Sequence, residues 1–441
     1  MFMHKSKKGF TIVELVIVIA VIAILAAVLI PTFSNLVKKA NQSADIQAAR
    51  QMNTVLAAEG AAKKVNIFEV YDALAANGMT AKDYRPLTTD HYFFWDDGAN
   101  CIVYTDKNYQ VVFPVDFEKN GNWVSLTATI PTVKPAAYKA DATTVKVASA
   151  EELAYVVEQF KGDKHTASSL TIDLDGKELD MNGANLALSD GTGKDGGVAT
   201  TTEVTITNGT IKNVSAIDPT YQGKGGDGHE GIYYTGGLFG NIESEVTLEN
   251  VVIENVYVKN TSVSGAGLLA ASVQNGGKLI VKGTTTIKNC TVIGHRNVGA
   301  LVGYAHDAIE LYGTINMENV TVMTVGGRSG LLFGIVTSGL VGKDGSPNKF
   351  VDQSTINLTN CSYEYYACDQ NTGTKTIDGK TYTLGKDADG HIVSWALDNN
   401  GNPEIRGLNA DGTKDTAYRY DAGVYFAKGT YSVEFNNIVV K

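Results

Sequence analysis

Four short segments set the pattern for most of this chain. GGLFG at 236–240, AGLLA at 266–270, GALVG at 299–303 and GLLFG at 330–334 recur at spacings of 30, 33 and 31 residues. Ahead of the last three stand related runs, Asn255-Val256-Tyr257-Val258, Asn289-Cys290-Thr291-Val292 and Asn319-Val320-Thr321-Val322. Asn360-Cys361-Ser362-Tyr363 echoes them once more. The intervening stretches, EVTITNGTIKNV, EVTLENVVIENVYV and GKLIVKGTTTIKNCTV, are rich in β-branched residues. A unit of this length built from strands cannot bury its own apolar face, so neighbouring units must stack. Successive coils would then lie about 4.8 Å apart, with Leu, Val and Ile inward and Asn at recurring turns. A β-sandwich, which also suits short strands and Gly turns, is the alternative.

The first forty residues obey a different rule. Lys5, Lys7 and Lys8 precede an apolar run from Phe10 to Ile30 that is broken once, by Glu14. As a helix rising about 1.5 Å per residue, that run reaches roughly 31 Å, the thickness of a bilayer's hydrocarbon core. A carboxylate facing lipid costs about 2.5–3.5 kcal/mol or more, which marks Glu14 as functional. Pro31 removes a backbone donor and is expected to kink the helix. A secretory signal peptide fits poorly, because its apolar core is about 7–15 residues long and rarely carries an acid.

The run GFTIVELVIVIAVIAILAAVLIP resembles the amino-terminal motif of type IV prepilins and the related pseudopilins. The resemblance covers roughly residues 1–60. It implies cleavage between Gly9 and Phe10 by a prepilin peptidase/methyltransferase, N-methylation of Phe10, assembly through Glu14, and a helix kink at Pro31. In the low dielectric of a membrane, the Glu14 carboxylate of an incoming subunit would pair with the Phe10 amine of a neighbour. The implied partners are other pilin subunits and a pilus assembly platform in the cytoplasmic membrane. The implied fold is a long membrane-spanning helix packed on a small antiparallel sheet. The G-x-L-x-G element resembles repeats of bacterial surface proteins thought to form right-handed parallel β-helices.

The rest of the chain agrees with an α+β pilin-like part followed by an all-β domain. The expected divisions are a basic leader (1–9), a transmembrane assembly helix (10–30) and a pilin head (31–130). A linker (131–148), a β-solenoid (149–375) and a C-terminal β module or cap (376–441) would follow. Beyond Pro31 the helix is expected to run to about Ala58. Phe33, Leu36, Val37, Ala40, Ala44, Ala48, Met52, Val55 and Leu56 form its apolar face, and Asn35, Lys38, Lys39, Gln42, Asp45 and Arg50 its polar face. Asn66 and Glu69 suggest a capping box for a helix through Val70 and Leu74 that ends at Gly78. Strands are expected at His91–Trp95, Cys101–Thr105, Gln110–Phe113 and Trp123–Ile130. Ala150–Phe160 reads as an amphipathic helix that caps the first coil. Strands near Val424–Phe426 and Tyr431–Phe435 would lie in the tail.

Charge narrows the partners. The net charge is −10, yet the first 72 residues are net positive, so the body is strongly acidic. Nucleic acid is therefore not an expected partner. The basic leader fits the positive-inside rule, leaving the leader cytoplasmic and the body outside. Of the four cysteines, Cys361 and Cys368 close a short loop and form the candidate disulfide. Cys290 and Cys361, two coils apart in one column, would be too distant.

No active site emerges, and no cofactor or metal is implied. Asp173, Asp175 and Asp180 cluster, with Asp173 and Asp175 on one face by period two, the minimum for a glycan-cleaving carboxylate pair. DADG (387–390) and DNNGN (398–402) resemble fragments of calcium loops without the closing acid. GKGGDGHEG (223–231) lacks a Walker lysine, and His229 lacks a second zinc-helix histidine. Tyr233, Tyr234, Tyr363, Tyr365 and Tyr366 are candidate sugar-stacking rings. The expected function is a minor or decorating subunit of a type IV pilus-like surface filament that displays its β domain for glycan or cell-surface binding. The alternatives are a pseudopilin of a type II secretion or DNA-uptake system, and a membrane-tethered polysaccharide-acting enzyme.

Overall fold

The computed structural model describes residues 12–58, 70, 73–74, 76–79, 86–88, 91–96, 99–106, 110–117, 123–126, 132–161, 164–181, 183–186, 188, 191–192, 198–217, 235–260, 265–366, 371–397, 403–420, 425–427 and 431–441. Along 12–35 the described side chains are those of Ile19 and Phe33. The chain separates into two compact units, residues 1–122 and 123–441.

The first unit begins with one helix, Ile12–Ala58, whose 47 residues continue through Pro31. At 1.5 Å per residue it is about 70 Å long. Its partner is an antiparallel arrangement of Tyr92–Asp96, Cys101–Thr105 and Val111–Phe113, with Trp95 opposite Ile102 and Tyr104 opposite Phe113. The Asp96 carboxylate accepts from Ala99 N–H at 2.8 Å, and Asn100 takes φ +51°, which closes the first hairpin. Every residue of Tyr92–Asp96 is buried, as are Met52, Leu56, Val70 and Leu74. Both faces of that strand are thus covered. Of the expected second helix, Val70, Ala73, Leu74 and Ala76 are helical and Gly78 has φ +80°; its capping residues, Asn66 and Glu69, lie outside the described residues.

The second unit is dominated by parallel pairing. Glu203–Ile217 pairs with Glu245–Asn260, which pairs with Lys278–Lys282 and Thr284–Gly294. Those two pair with Ala308–Thr324, which pairs with Phe350–Thr359 and Ser362–Tyr365. A second parallel sheet runs through Val198–Thr200, Phe239–Ile242, Ala270–Val273, Val302–Ala305 and Phe333–Val336. A third, two residues wide, joins Thr235–Gly236, Ala266–Gly267 and Val298–Gly299. From residue 198 to 324 the chain visits the three sheets in a fixed cyclic order. Each circuit forms one rung, and its backbone groups bond to the rungs before and after it.

The interior is a set of in-register apolar columns. Val246, Leu279 and Ile309 form one, and Phe239, Ala270, Val302 and Phe333 another, all fully buried. The glycine-leucine segments lie where the third sheet turns into the second. Gly236, Gly267 and Gly299 stand in register, so the structural alignment is shifted by one residue from the sequence match at AGLLA. A Cβ on Gly267 would strike the carbonyl oxygen of Ala270, and one on Gly236 that of Phe239.

The recurring asparagines turn the wide sheet. Asn213, Asn255, Asn289, Asn319 and Asn360 all take φ between 50° and 57°, the left-handed region that Asn tolerates better than most residues. Their amides also bond along the stack. Asn213 donates to Asp180 at 2.8 Å, Asn255 to Asn213 at 3.1 Å, and Asn319 to Asn289 at 2.9 Å. Outside, Lys278 lies between Glu245 (3.0 Å) and Glu310 (3.6 Å), and Lys288 pairs with Glu254 at 3.0 Å. Such exposed pairs contribute at most about 1 kcal/mol each.

Both ends of the stack are covered. At the first end Thr144–Lys146 pairs with Ser169–Asp173, and the helix Ala150–Lys161 buries Leu153, Val156 and Phe160. Glu152 accepts from Ala148 N–H at 2.7 Å, and Ser149 from Glu152 N–H at 3.3 Å, which caps that helix. Tyr138, Val145 and Val147, expected in a linker, are buried in the core. At the other end four antiparallel strands, Gly373–Ile377, Lys380–Lys386, Ile392–Leu397 and Pro403–Arg406, precede a returning tail. The tail's Tyr425 carbonyl accepts from Leu332 and Phe333, and Ile438–Val440 pairs in parallel with Ile356–Leu358. Tyr431–Phe435, expected as a strand, is irregular instead and lies against the last rung through Tyr431 N–H to Val336 O at 3.1 Å.

Two measurements test this packing. Gly267→Ala is expected to cost about 2 kcal/mol or more, because backbone rather than a flexible side chain must move; chemical denaturation reads it. Asp307 supplies a pH test. Its carboxylate is buried, which favours the neutral form, but it accepts from Gly276 N–H at 2.9 Å and Lys349 Nζ at 2.6 Å. The balance holds it below the ordinary carboxylate range. A depressed folded value stabilises above the unfolded value, about 3.9, and that contribution disappears as pH falls through the folded value. Wild type should therefore lose more stability than Asp307→Asn between pH 5 and about 2.

Candidate assembly surface

The long helix carries two stripes with different fates. Asp45, Ala49, Met52 and Leu56 are buried against the sheet of their own unit. Phe33, Leu36 and Val37 are each more than half exposed, and so is Ile19 further toward the amino terminus. At about 100° per residue the centres of the two stripes lie roughly 130° apart around the helix. The expected single apolar face is therefore corrected. Met52 and Leu56 leave the stripe of Phe33 and Leu36, and they share theirs with an acid that the periodicity had placed in solvent.

That acid, Asp45, is the hub of the docking. Its Oδ1 accepts from Leu87 N–H at 2.6 Å, and its Oδ2 from Thr88 N–H and the Tyr104 hydroxyl, each at 3.0 Å. Burial, with the Asp45 carboxylate beside it, pushes the Tyr104 phenol above its ordinary range. About two turns further on, Asn53 donates to Ile102 O at 2.9 Å and accepts from Ile102 N–H at 2.6 Å. A helix side chain thus pairs with the strand backbone as a neighbouring strand would. Arg50 adds a guanidinium 5.3 Å from the centre of the Phe113 ring. The last part of the helix, from Asp45 onward, is fixed within its unit, and the stripe at Phe33, Leu36 and Val37 faces away from that contact.

Gly9 and Phe10 lie outside the described residues. Glu14 and Pro31 sit within the helix, and their side chains also lie outside the described residues. Among the described residues no helix is long and apolar enough to cross a membrane; nearly all the side chains of the expected span, 10–30, fall outside that set.

The other candidates resolve into structural roles where they are described. Asp173 ends a strand and accepts from Asp175 N–H at 3.0 Å, while Asp175 turns the chain at φ +54° and pairs with Lys146 at 2.7 Å. The two do not share a strand face, which corrects the period-two reading; the turn before Gly176 intervenes. Asp180 anchors the asparagine ladder. In DADG, Lys414 Nζ pairs with the carboxylates of Asp387 at 2.5 Å and Asp389 at 3.0 Å, taking the place a cation would need. Among the described residues no three His, Cys, Asp or Glu are placed to hold a metal ion. DNNGN, GKGGDGHEG with His229, Tyr233 and Tyr234 lie outside the described residues.

Tyr363 is buried and stacks on Tyr420 with centres 5.2 Å apart, so it is a core ring and not a sugar platform. Lys386 lies 5.6 Å from the Tyr365 ring centre and Lys259 5.5 Å from that of Tyr366. Cys361 is a free thiol that donates to Met317 O at 3.4 Å, and Cys368 lies outside the described residues. Burial pushes the Cys290 thiol up to about 12 and the Cys101 thiol up to about 11, which leaves both protonated.

Comparison with known proteins bears on the amino terminus. Residues 4–30 match the prokaryotic N-terminal methylation motif, so this terminus is of the type IV prepilin kind. Over 54 residues the chain is 41% identical to type IV major fimbrial proteins FimA of Dichelobacter nodosus. The alignment covers 12% of this chain and 35% of each relative, so the chain spans about a third of the length of the curated relatives it matches. No solved structure matches.

Asp45→Ala is expected to lower the stability of the first unit by about 2 kcal/mol, since it strands a buried phenol and removes the acceptor of two partly buried N–H groups. Loss of the near-ultraviolet circular dichroism of that unit's aromatic core at a lower temperature checks it.

Proposed function

We propose that this protein is a structural subunit of a type IV pilus-like surface filament. The observation that carries the reading is the methylation motif at 4–30 on a helix whose Phe33, Leu36 and Val37 stripe is not used by its own unit. The prepilin peptidase/methyltransferase cuts after Gly9 and methylates Phe10. Before assembly the run 10–30 spans the cytoplasmic membrane, with the leader inside and the body outside. Glu14 then pairs with the Phe10 amine of a neighbouring subunit at the assembly platform, and Pro31 bends the helix where it leaves the apolar layer. The exposed stripe continues the helix–helix contact beyond the membrane segment.

The second unit is the displayed part. Its parallel rungs, cyclic sheet order and asparagine turns support a parallel β-helix, and the right-handed rule for parallel crossovers supports that hand. A long repetitive surface suits contact with glycans or cell surfaces, and its bulk suits a minor or decorating subunit. The reading is non-enzymatic, since Asp173, Asp175 and Asp180 each serve a turn, an ion pair or a ladder.

Glu14→Leu is the direct test. It removes one charge from an apolar segment, so the variant should insert and be processed as wild type does while its yield in sheared surface filaments falls at least tenfold. Wild-type filament yield from that variant would sink the pairing mechanism.

A further inference from the structure

One corner of the second unit collects cationic side chains, and one of them, Arg296, has no hydrogen bond or ion pair among the described residues. His295, Arg296 and Asn297 form the turn between Thr284–Gly294 and Val298–Gly299. The next rung's turn, Val325–Ser329, lies against them, with no room for a Cβ between Gly326 and the His295 ring. The C-terminal segment closes the corner. Arg328 N–H donates to Ala417 O at 3.3 Å, its guanidinium lies 5.6 Å from the Tyr418 ring centre, and Arg406 reaches in from Pro403–Arg406.

Three guanidinium groups therefore face two carboxylates. Arg406 Nη2 bonds the Glu404 carboxylate, and Arg328 Nη2 lies 3.9 Å from Asp415. Arg296 is partly buried, and no hydrogen bond or ion pair satisfies it among the described residues; the Nε atoms of Arg296, Arg328 and Arg406 are all buried without acceptors. Burial, followed by the nearby Arg328 and Arg406 charges, depresses the proton affinity of Arg296 despite the opposing influence of Tyr418 and Glu404. His295 is 1% exposed, and neither ring nitrogen has a partner. Burial, then the charges of Arg406 and Arg296, brings its pKa down to about 3, so the imidazole is neutral. It offers one donor and one acceptor.

An unpaired guanidinium in a partly desolvated corner is costly, whereas a planar fork beside further N–H donors matches an oxyanion. We propose that this corner binds a small oxyanion, a sulfate, phosphate or carboxylate group, with Arg296 as its central ligand and Arg328, Arg406 and His295 around it. Glu404 and Asp415 leave one uncompensated positive charge, and the acidic body repels extended polyanions. The shared chemistry is thus a single oxyanion, free in solution or carried by an acidic sugar. The site lies wholly within the second unit and does not depend on filament assembly.

Isothermal titration of the full chain in detergent micelles tests it, with sodium sulfate, sodium phosphate and a sulfated disaccharide as probes and sodium chloride at matched ionic strength as the control. Wild type should bind at least one probe saturably, and Arg296→Gln should bind it about tenfold or more weakly while unfolding at the same temperature in chloride. Tighter binding of the disaccharide than of sulfate would assign the oxyanion to carbohydrate; equal binding would assign it to the free ion. Should Arg296→Gln fail to fold, Arg296→Lys keeps the charge without the fork and should still weaken binding severalfold. No saturable heat with any probe, or undiminished binding by the variant that folds, would overturn the proposal.

Discussion

The parallel backbone ladder is the constraint on which the large unit depends. In a rung such as Glu245–Asn260, main-chain groups pair with Glu203–Ile217 on one side and with Lys278–Lys282 and Thr284–Gly294 on the other. A rung removed from its neighbours would expose both edges, so stability is a property of the stack. The same logic requires closed ends. The helix Ala150–Lys161 covers the first, and the tail that pairs Ile438–Val440 with Ile356–Leu358 covers the last. Side chains then fix the register, with asparagines at the turns, glycines where the chain doubles back and aliphatic columns inside.

The amino-terminal helix poses a different problem, since only part of it packs within its own unit. From Asp45 onward it belongs to its sheet through three hydrogen bonds to one carboxylate and two to Asn53. Before that point the large apolar side chains that are described, Ile19, Phe33, Leu36 and Val37, are each more than half exposed. A rotation of the apolar stripe around the helix leaves Asp45, Ala49, Met52 and Leu56 buried in the unit and Phe33, Leu36 and Val37 exposed, the face that the proposed filament would use.

Much of this was legible in the sequence, for identifiable reasons. The apolar run with one acid and the glycine-phenylalanine junction are local, gap-free patterns. The asparagine turns were legible because a left-handed backbone position strongly restricts residue type. The exact register was not, because AGLLA fits a glycine-leucine pattern at more than one offset, and only the backbone pairing of Gly236, Gly267 and Gly299 decides it. Asp45 was hidden because helical periodicity assigns a lone acid to solvent, while its partners, Leu87, Thr88 and Tyr104, are distant in sequence. Asp175 read as a strand residue because D-L-D-G fits both a strand and a turn. The cationic corner has no motif at all, since His295, Arg296, Arg328 and Arg406 meet only through the return of the C-terminal segment.

The central claim is that a processed helix makes this chain a filament subunit. It is tested most directly by the amino terminus and intact mass of the protein recovered from sheared surface material and from membranes of its native cells. The account predicts a chain beginning at methylated Phe10 in the sheared fraction. A processed chain confined to membranes would point instead to a short pseudopilus, and an intact Met1 in every fraction would contradict processing and assembly together.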